Sequence, residues 1–93
     1  MARIARHLTI HGRVQGVWYR AWTVETARAL DLTGWVRNRV DGSVEALVVG
    51  EADEIDRFIA LAKNGPPAAQ VERIDIDDAA DEGLTGFEKR PTA

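Results

Sequence analysis

Apolar and polar residues alternate from Arg3 to His11, with Ile4, Leu8 and Ile10 on one side of the chain. That period of two predicts a half-buried strand. Gly12 closes the run, and Gly12 to Tyr19 reads as a loop with glycines at positions 12 and 16. From Arg20 to Leu30 good helix formers dominate, with Ala21, Val24, Ala27 and Leu30 at helical spacing. Thr33-Gly34 ends that connection, and Trp35 to Arg39 reads as a second strand. Asp41-Gly42 supplies two residues that tolerate positive φ, the signal of a tight hairpin. A third strand follows from Ser43 to Val49, with Val44, Ala46 and Val48 on one face and Gly50 as its breaker. Ala52 to Asn64 is the clearest helix, because Ile55, Phe58, Ile59 and Ala62 fall at i, i+3, i+4 and i+7. Asp53 and Glu54 suit its positive end, Lys63 its negative end, and Asn64-Gly65-Pro66-Pro67 terminates it. A fourth strand runs from about Gln70 to Asp77, with Ile74 and Ile76 facing inward. Asp77 to Gly86 is a polar loop, and Phe87 to Arg90 is an optional short strand before Pro91.

The resulting order, β-α-β-β-α-β with a possible short fifth strand, predicts an α+β fold. Its natural packing is a ferredoxin-like two-layer sandwich, an antiparallel sheet with both helices on one face. Residues 1–93 are expected to form a single domain, since separate cores rarely develop in so short a chain. There is no internal repeat, linker or low-complexity tract. Apolar residues at 45% and charged residues at 29% describe a globular chain rather than a disordered one. No apolar run is long enough to span a bilayer, and the first residues lack the pattern of a signal peptide. With no cysteine, disulfides and thiolate chemistry are excluded, and the expectation is a cytoplasmic protein without membrane partners.

The net charge of −3 argues against nucleic acid as a partner. Its distribution changes the picture further. Residues 1–50 carry seven arginines against four acids, whereas residues 51–93 carry five basic against eleven acidic groups. Positive charge is thus concentrated around the glycine-containing loop, where Arg13, Arg20, Arg37 and Arg39 could attract a small anion.

Strand, glycine-containing loop, then helix is a recurrent phosphate-binding arrangement. Backbone N–H groups curl around the anion, and the helix start adds partial positive charge. Gly16 would let the backbone approach such a ligand, and Arg20 could bond two of its oxygens. The same features also describe a plain structural turn, and an asparagine such as Asn38 just before a hairpin is equally a turn residue. The string GRVQGVWYR (Gly12 to Arg20) closely resembles the first signature of the acylphosphatase family. That signature is glycine, any residue, V-Q-G-V, any residue, an aromatic, then arginine. GWVRNRVDGSVEALVVG (Gly34 to Gly50) resembles the second, with its glycine–aromatic pair, asparagine, D-G hairpin, apolar strand and closing glycine.

The resemblance implies hydrolysis of the carboxyl–phosphate bond of small acyl phosphates, releasing inorganic phosphate, without metal or other cofactor. Arg20 takes the family's catalytic arginine position and Asn38 its catalytic asparagine position. The segment Gln15, Gly16, Val17, Trp18 and Tyr19 takes the phosphate-cradle position, with Arg20 completing it. A stand-alone monomer is expected. The alternatives are a non-catalytic ferredoxin-like domain that binds a small anion or a partner, and a carbamoyl-phosphate-handling domain of a larger maturation protein. The sequence departs from the family pattern at Tyr19, where phenylalanine is common, and at Asp31, where a helix-ending glycine is common.

Other candidates carry less. His7 and His11 share a strand face but have no further ligand in sequence to complete a metal site. Trp18, Trp22 and Trp35 do not form the aromatic string of an RNA-binding sheet, although Trp18 could contact an acyl group. The acidic run Asp75, Asp77, Asp78, Asp81 and Glu82 lacks the spacing of a Ca²⁺ loop. The absence of a metal-ligand pattern leads to a direct expectation. Acetyl phosphate turnover should be undiminished after exhaustive chelation, and loss of activity that Mg²⁺ or Zn²⁺ restores would overturn the metal-free reading.

Overall fold

The alternating N-terminal run becomes the longest strand of the protein, β1 (Arg3–Arg13), and the sheet is built outward from it. The computed structural model describes residues 2–93. After β1 come α1 (Tyr19–Ala29), β2 (Thr33–Asn38), β3 (Val44–Glu51), α2 (Ala52–Ala62), β4 (Gln70–Asp78) and β5 (Phe87–Lys89). The strand order is β4-β1-β3-β2-β5. Every pairing among β1 to β4 is antiparallel, and β5 adds to β2 in parallel. The sheet is therefore mixed, with the short fifth strand present.

Period-two alternation divides the sheet into two faces. Leu8 and Ile10 of β1, Val36 of β2, Val44, Ala46 and Val48 of β3, and Phe87 of β5 are buried in one cluster with Ile55, Phe58 and Ala62 of α2. Helix α1 contributes Tyr19 and Ala27 to the same cluster. Its buried face runs Tyr19, Thr23, Ala27 rather than through Ala21, which is exposed. Ala27 is buried and Val24 and Leu30 pack against the core as their spacing required, whereas Thr23, polar by type, takes an inward position that the apolar pattern did not include.

Both glycines expected to end strands instead lie within them. Gly12 sits at a bulge in the β1–β4 pairing with φ 128°, and a Cβ there would run into the carbonyl of Gln70. Gly50 is paired opposite Ile4, and its missing Cβ makes room for Leu32. These glycines are required by neighbouring groups across the fold, so they do not break the strands. Ile76, expected inward, shares its sheet face with Ile74 but is 48% exposed because β4 is an edge strand.

The helix ends follow local chemistry more closely. At the end of α1, Asp31 adopts φ 56°, the Leu32 N–H donates to the carbonyl of Ala27, and the Asp31 N–H donates to that of Arg28. This is a Schellman motif with aspartate in the usual glycine position, tolerated because Asp accepts left-handed geometry better than most residues. Gly65 performs the corresponding turn after α2, with φ 62°, and a Cβ there would press on the Tyr19 ring.

The sheet face opposite the helices has a second, smaller cluster. Ala5, Trp35, Leu47 and Val49 are buried there, with Ala79 and Leu84 of the β4–β5 connection packed over them. That connection is polar in sequence, but Glu82 also accepts a hydrogen bond from the Trp35 indole at 3.2 Å. Beside this patch Glu45 is largely buried and accepts hydrogen bonds from His7 (2.6 Å), Arg37 (2.6 Å) and Arg39 (3.2 Å). Burial alone would push its carboxyl up, but the three donors outweigh it and hold the pKa at about 2, against an ordinary 4.5.

A carboxylate whose pKa is depressed by folding stabilises the fold above its unfolded pKa, and that contribution disappears as pH falls through the folded value. Glu45 should therefore contribute about 1–3 kcal/mol above roughly pH 5, lost progressively towards pH 2. Urea denaturation of the parent and of Glu45→Gln across this range checks it. The parent should lose more stability on acidification than the variant, and parallel curves would show that the network contributes nothing.

Candidate functional site

The segment between β1 and α1 is held by its side chains so that its backbone is left open. Val14 and Val17 are buried, at 1% and 6% exposure, and draw the loop onto the core. Between and beyond them Gly16 has φ 73° and Trp18 has φ 69° and ψ 18°. Left-handed residues alternating with a residue of negative φ form the concave run of N–H groups that suits an anion. Glycine accepts that conformation freely, but for tryptophan it costs about 1–3 kcal/mol. Trp18 precedes the first turn of α1 as its N-cap, supplies no side-chain cap, and no acidic residue occupies the first turn. The helix start thus keeps its unsatisfied N–H groups and its partial positive charge.

A cleft of about 250 Å³ opens on this segment, lined by Val14, Gly16, Trp18, Tyr19, Arg20, Ala21, Asn38 and Lys89. Drug-sized pockets begin at roughly 300 Å³, so the space suits a smaller ligand. Gly16, Trp18, Tyr19, Arg20 and Asn38, singled out from sequence, come together here. Gln15 and Val17 do not line it. The Gln15 amide instead donates to the carbonyls of Arg39 and Ser43, both at 2.8 Å, and so ties the loop to the β2–β3 hairpin. Tyr19 also lines the cleft, while its hydroxyl donates to the Ala62 carbonyl at 2.7 Å. Burial pushes its phenol well above the ordinary range, so it remains protonated.

Asn38 ends β2 on the helix side of the sheet, two residues beyond the buried Val36. Its backbone carbonyl accepts from the Ala93 N–H at 3.0 Å. Its side-chain Oδ1 is buried without a hydrogen-bond partner, one of two such atoms among the described residues. The other, Thr23 Oγ1, belongs to the inward face of α1 and is not part of the cleft lining. Lys89, on β5, was not signalled by the sequence, because its place beside Asn38 depends on the parallel β2–β5 pairing.

His7 and His11 lie on the opposite face of the sheet, bonded to Glu45 at 2.6 Å and to Asp75 at 3.0 Å. They are separated from the cleft by the sheet itself. Among the described residues no group of His, Cys, Asp and Glu is placed to hold a metal ion, and no helix is long and apolar enough to cross a membrane.

A loop of this kind followed by an arginine and faced by an asparagine matches one family over most of the chain. The acylphosphatase family model aligns with residues 6–89. An acylphosphatase of Rhizorhabdus wittichii is 52% identical over 90 residues, covering 97% of this chain and 91% of its own. The chain belongs to the acylphosphatase family. Its fold superimposes on that of an acylphosphatase from Coxiella burnetii with a TM-score of 0.91 at 35% identity, covering 95% and 93% of the two chains. It also resembles part of HypF from T. kodakarensis, with a TM-score of 0.83 at 31% identity, covering 94% of this chain but 12% of that larger one.

Within the acylphosphatase pattern, both departures are accommodated locally. The Tyr19 hydroxyl has the Ala62 carbonyl as its partner, and Asp31 makes the left-handed turn in place of glycine. The Gln15 brace has a measurable consequence. Each carbonyl it reaches already accepts one backbone N–H within the hairpin, from Gly42 and from Arg39 respectively. Gln15→Leu therefore removes two hydrogen bonds without stranding either acceptor, and should lower stability by about 1–3 kcal/mol. Denaturant midpoints check this, and a variant as stable as the parent would show that the amide holds nothing.

Proposed function

We propose that this protein hydrolyses the carboxyl–phosphate bond of small acyl phosphates, with Arg20 and the Gly16–Trp18 backbone holding the phosphoryl group and Asn38 orienting water. Membership of the acylphosphatase family supplies the reaction class. The residue roles rest chiefly on one observation: Asn38 lines the cleft together with Arg20 and the helix start, and its buried side-chain Oδ1 has no hydrogen-bond partner. An orphaned buried acceptor costs about 1–3 kcal/mol, so a small turn of the Asn38 side chain that brings Oδ1 to a water in the cleft is favoured.

The substrate's phosphoryl oxygens face the loop N–H groups and the Arg20 guanidinium, whose planar fork bonds two of them at once. A water donates one hydrogen bond to Asn38 Oδ1, which turns a lone pair towards phosphorus. As the new P–O bond forms, the bond from phosphorus to the acyl oxygen breaks and its electron pair leaves with the carboxylate. A carboxylate is stable as an anion, so no general acid is needed to protonate it. Transfer through a loose transition state asks mainly for positioning and charge stabilisation, which these groups supply. An amide cannot take up the water's proton at neutral pH. That proton passes to a phosphoryl oxygen of the substrate, giving inorganic phosphate.

The two residues have different roles and should fail differently. Arg20→Ala should lose phosphate inhibition together with turnover, by up to about 10³–10⁵-fold. Lysine at that position should rescue poorly, since a point charge does not reproduce the fork. Asn38→Ala should retain phosphate affinity within a few-fold while turnover falls about 10²-fold or more. Acetyl phosphate kinetics with phosphate as inhibitor, run on both folded variants, decide it. Normal turnover in Asn38→Ala would reduce the asparagine to a turn residue.

A further inference from the structure

Lys89 joins the cleft through the architecture of β5. Phe87 is buried against the helices, so Lys89, two residues on, projects to the same side of the sheet as Val36 and Asn38. The strand is fixed firmly. Gly34 donates its N–H to the carbonyl of Gly86 at 2.9 Å, and Arg90 donates its own to that of Val36 at 2.8 Å. The Arg28 guanidinium reaches the Phe87 carbonyl at 2.9 Å. Two cations therefore line one small cleft, and no aspartate or glutamate lines it with them.

Acids outnumber bases, 15 to 12, and most of the other arginines have a carboxylate within salt-bridge distance. Five of the twelve lysines and arginines make no ion pair among the described residues, and Arg20 and Lys89 are the two of them that line the cleft. Two unpaired cations beside an uncapped helix start make a wall complementary to a ligand with two negative charges.

We infer that Lys89 is a second phosphoryl-binding residue, its ammonium joining the Arg20 guanidinium to match the charge of an acyl phosphate dianion. This rests on the proposed reaction and adds a residue to it. An ammonium on a flexible four-carbon stem follows the anion as a point charge and imposes no in-line geometry. It therefore binds substrate, transition state and product phosphate about equally, which affects KM and product inhibition more than kcat.

The test compares the parent with Lys89→Met and Lys89→Arg. Phosphate affinity is measured both by calorimetry and by inhibition of acetyl phosphate turnover. Lys89→Met should weaken phosphate binding and raise KM about 5–20-fold, with kcat within about threefold of the parent. Lys89→Arg should restore both, and added salt should weaken phosphate binding to the parent more steeply than to Lys89→Met. Unchanged phosphate affinity in Lys89→Met overturns the assignment. So does a loss confined to 3-carboxybenzoyl phosphate relative to benzoyl phosphate, which would place the ammonium on the acyl group. A parent that binds phosphate through Lys89 yet leaves acetyl phosphate intact would count against the reaction and leave the anion site standing.

Discussion

The cleft depends on a backbone segment that must be held rigidly while its own N–H groups stay unpaired. A free loop would satisfy those groups with water or with its own turns, and an ordinary helix start would satisfy them with a capping side chain. Here the ordering comes from groups directed away from the cleft. Val14 and Val17 are sunk in the core, the Gln15 amide is spent on the hairpin carbonyls, and the Tyr19 hydroxyl is tied to the end of α2. The strained φ of Trp18 is the visible cost of this arrangement.

The same ties determine which elements can form the opposite wall. Gln15 joins the loop to both sides of the β2–β3 turn, directly after Asn38, so the asparagine and the loop are positioned by one set of contacts. Gly34, with φ 140°, has no Cβ to collide with the Leu47 carbonyl or the Phe87 ring, and so lets β5 pair with β2. Lys89 reaches the cleft by that route. Motif glycines 12, 34 and 50 thus serve packing across the sheet, whereas Gly16 has open space where a Cβ would be and is needed for its backbone conformation.

The two faces of the sheet are divided between chemistry and solvent. The helix face carries the apolar core and, at one end, the cleft. The other face carries Glu45 with its arginines and His7, and a cover of Ala79 and Leu84 over Trp35. Arg37 and Arg90 lie on that second face against the Trp35 ring, at 4.9 and 5.0 Å from its centroid, so they are not part of the anion site. Positive charge counted along the first half of the chain therefore overstates what the cleft receives. Arg37 and Arg39 serve Glu45, and Arg20 is the cation of that group that lines the cleft.

Element order, the hairpin, the α2 stripe and the Arg20 and Asn38 candidates were legible in the sequence because each depends on local periodicity or a short contiguous motif. The α2 pattern of Ile55, Phe58 and Ala62 is buried as its spacing required. What the sequence misjudged depends on partners distant along the chain. Gly12 and Gly50 look like strand breakers until Gln70 and Leu32 are seen to occupy the space of their missing side chains. Thr23, polar by type, is buried once α1 docks, and the Gln15 side-chain amide is directed to the hairpin carbonyls rather than into the cleft. Lys89 has no motif at all, and only the parallel pairing of Phe87–Lys89 with β2 brings its charge to the cleft. Local pattern fixes which backbone conformation a residue favours, but long-range packing decides which atoms face one another, because those contacts close only when the sheet assembles.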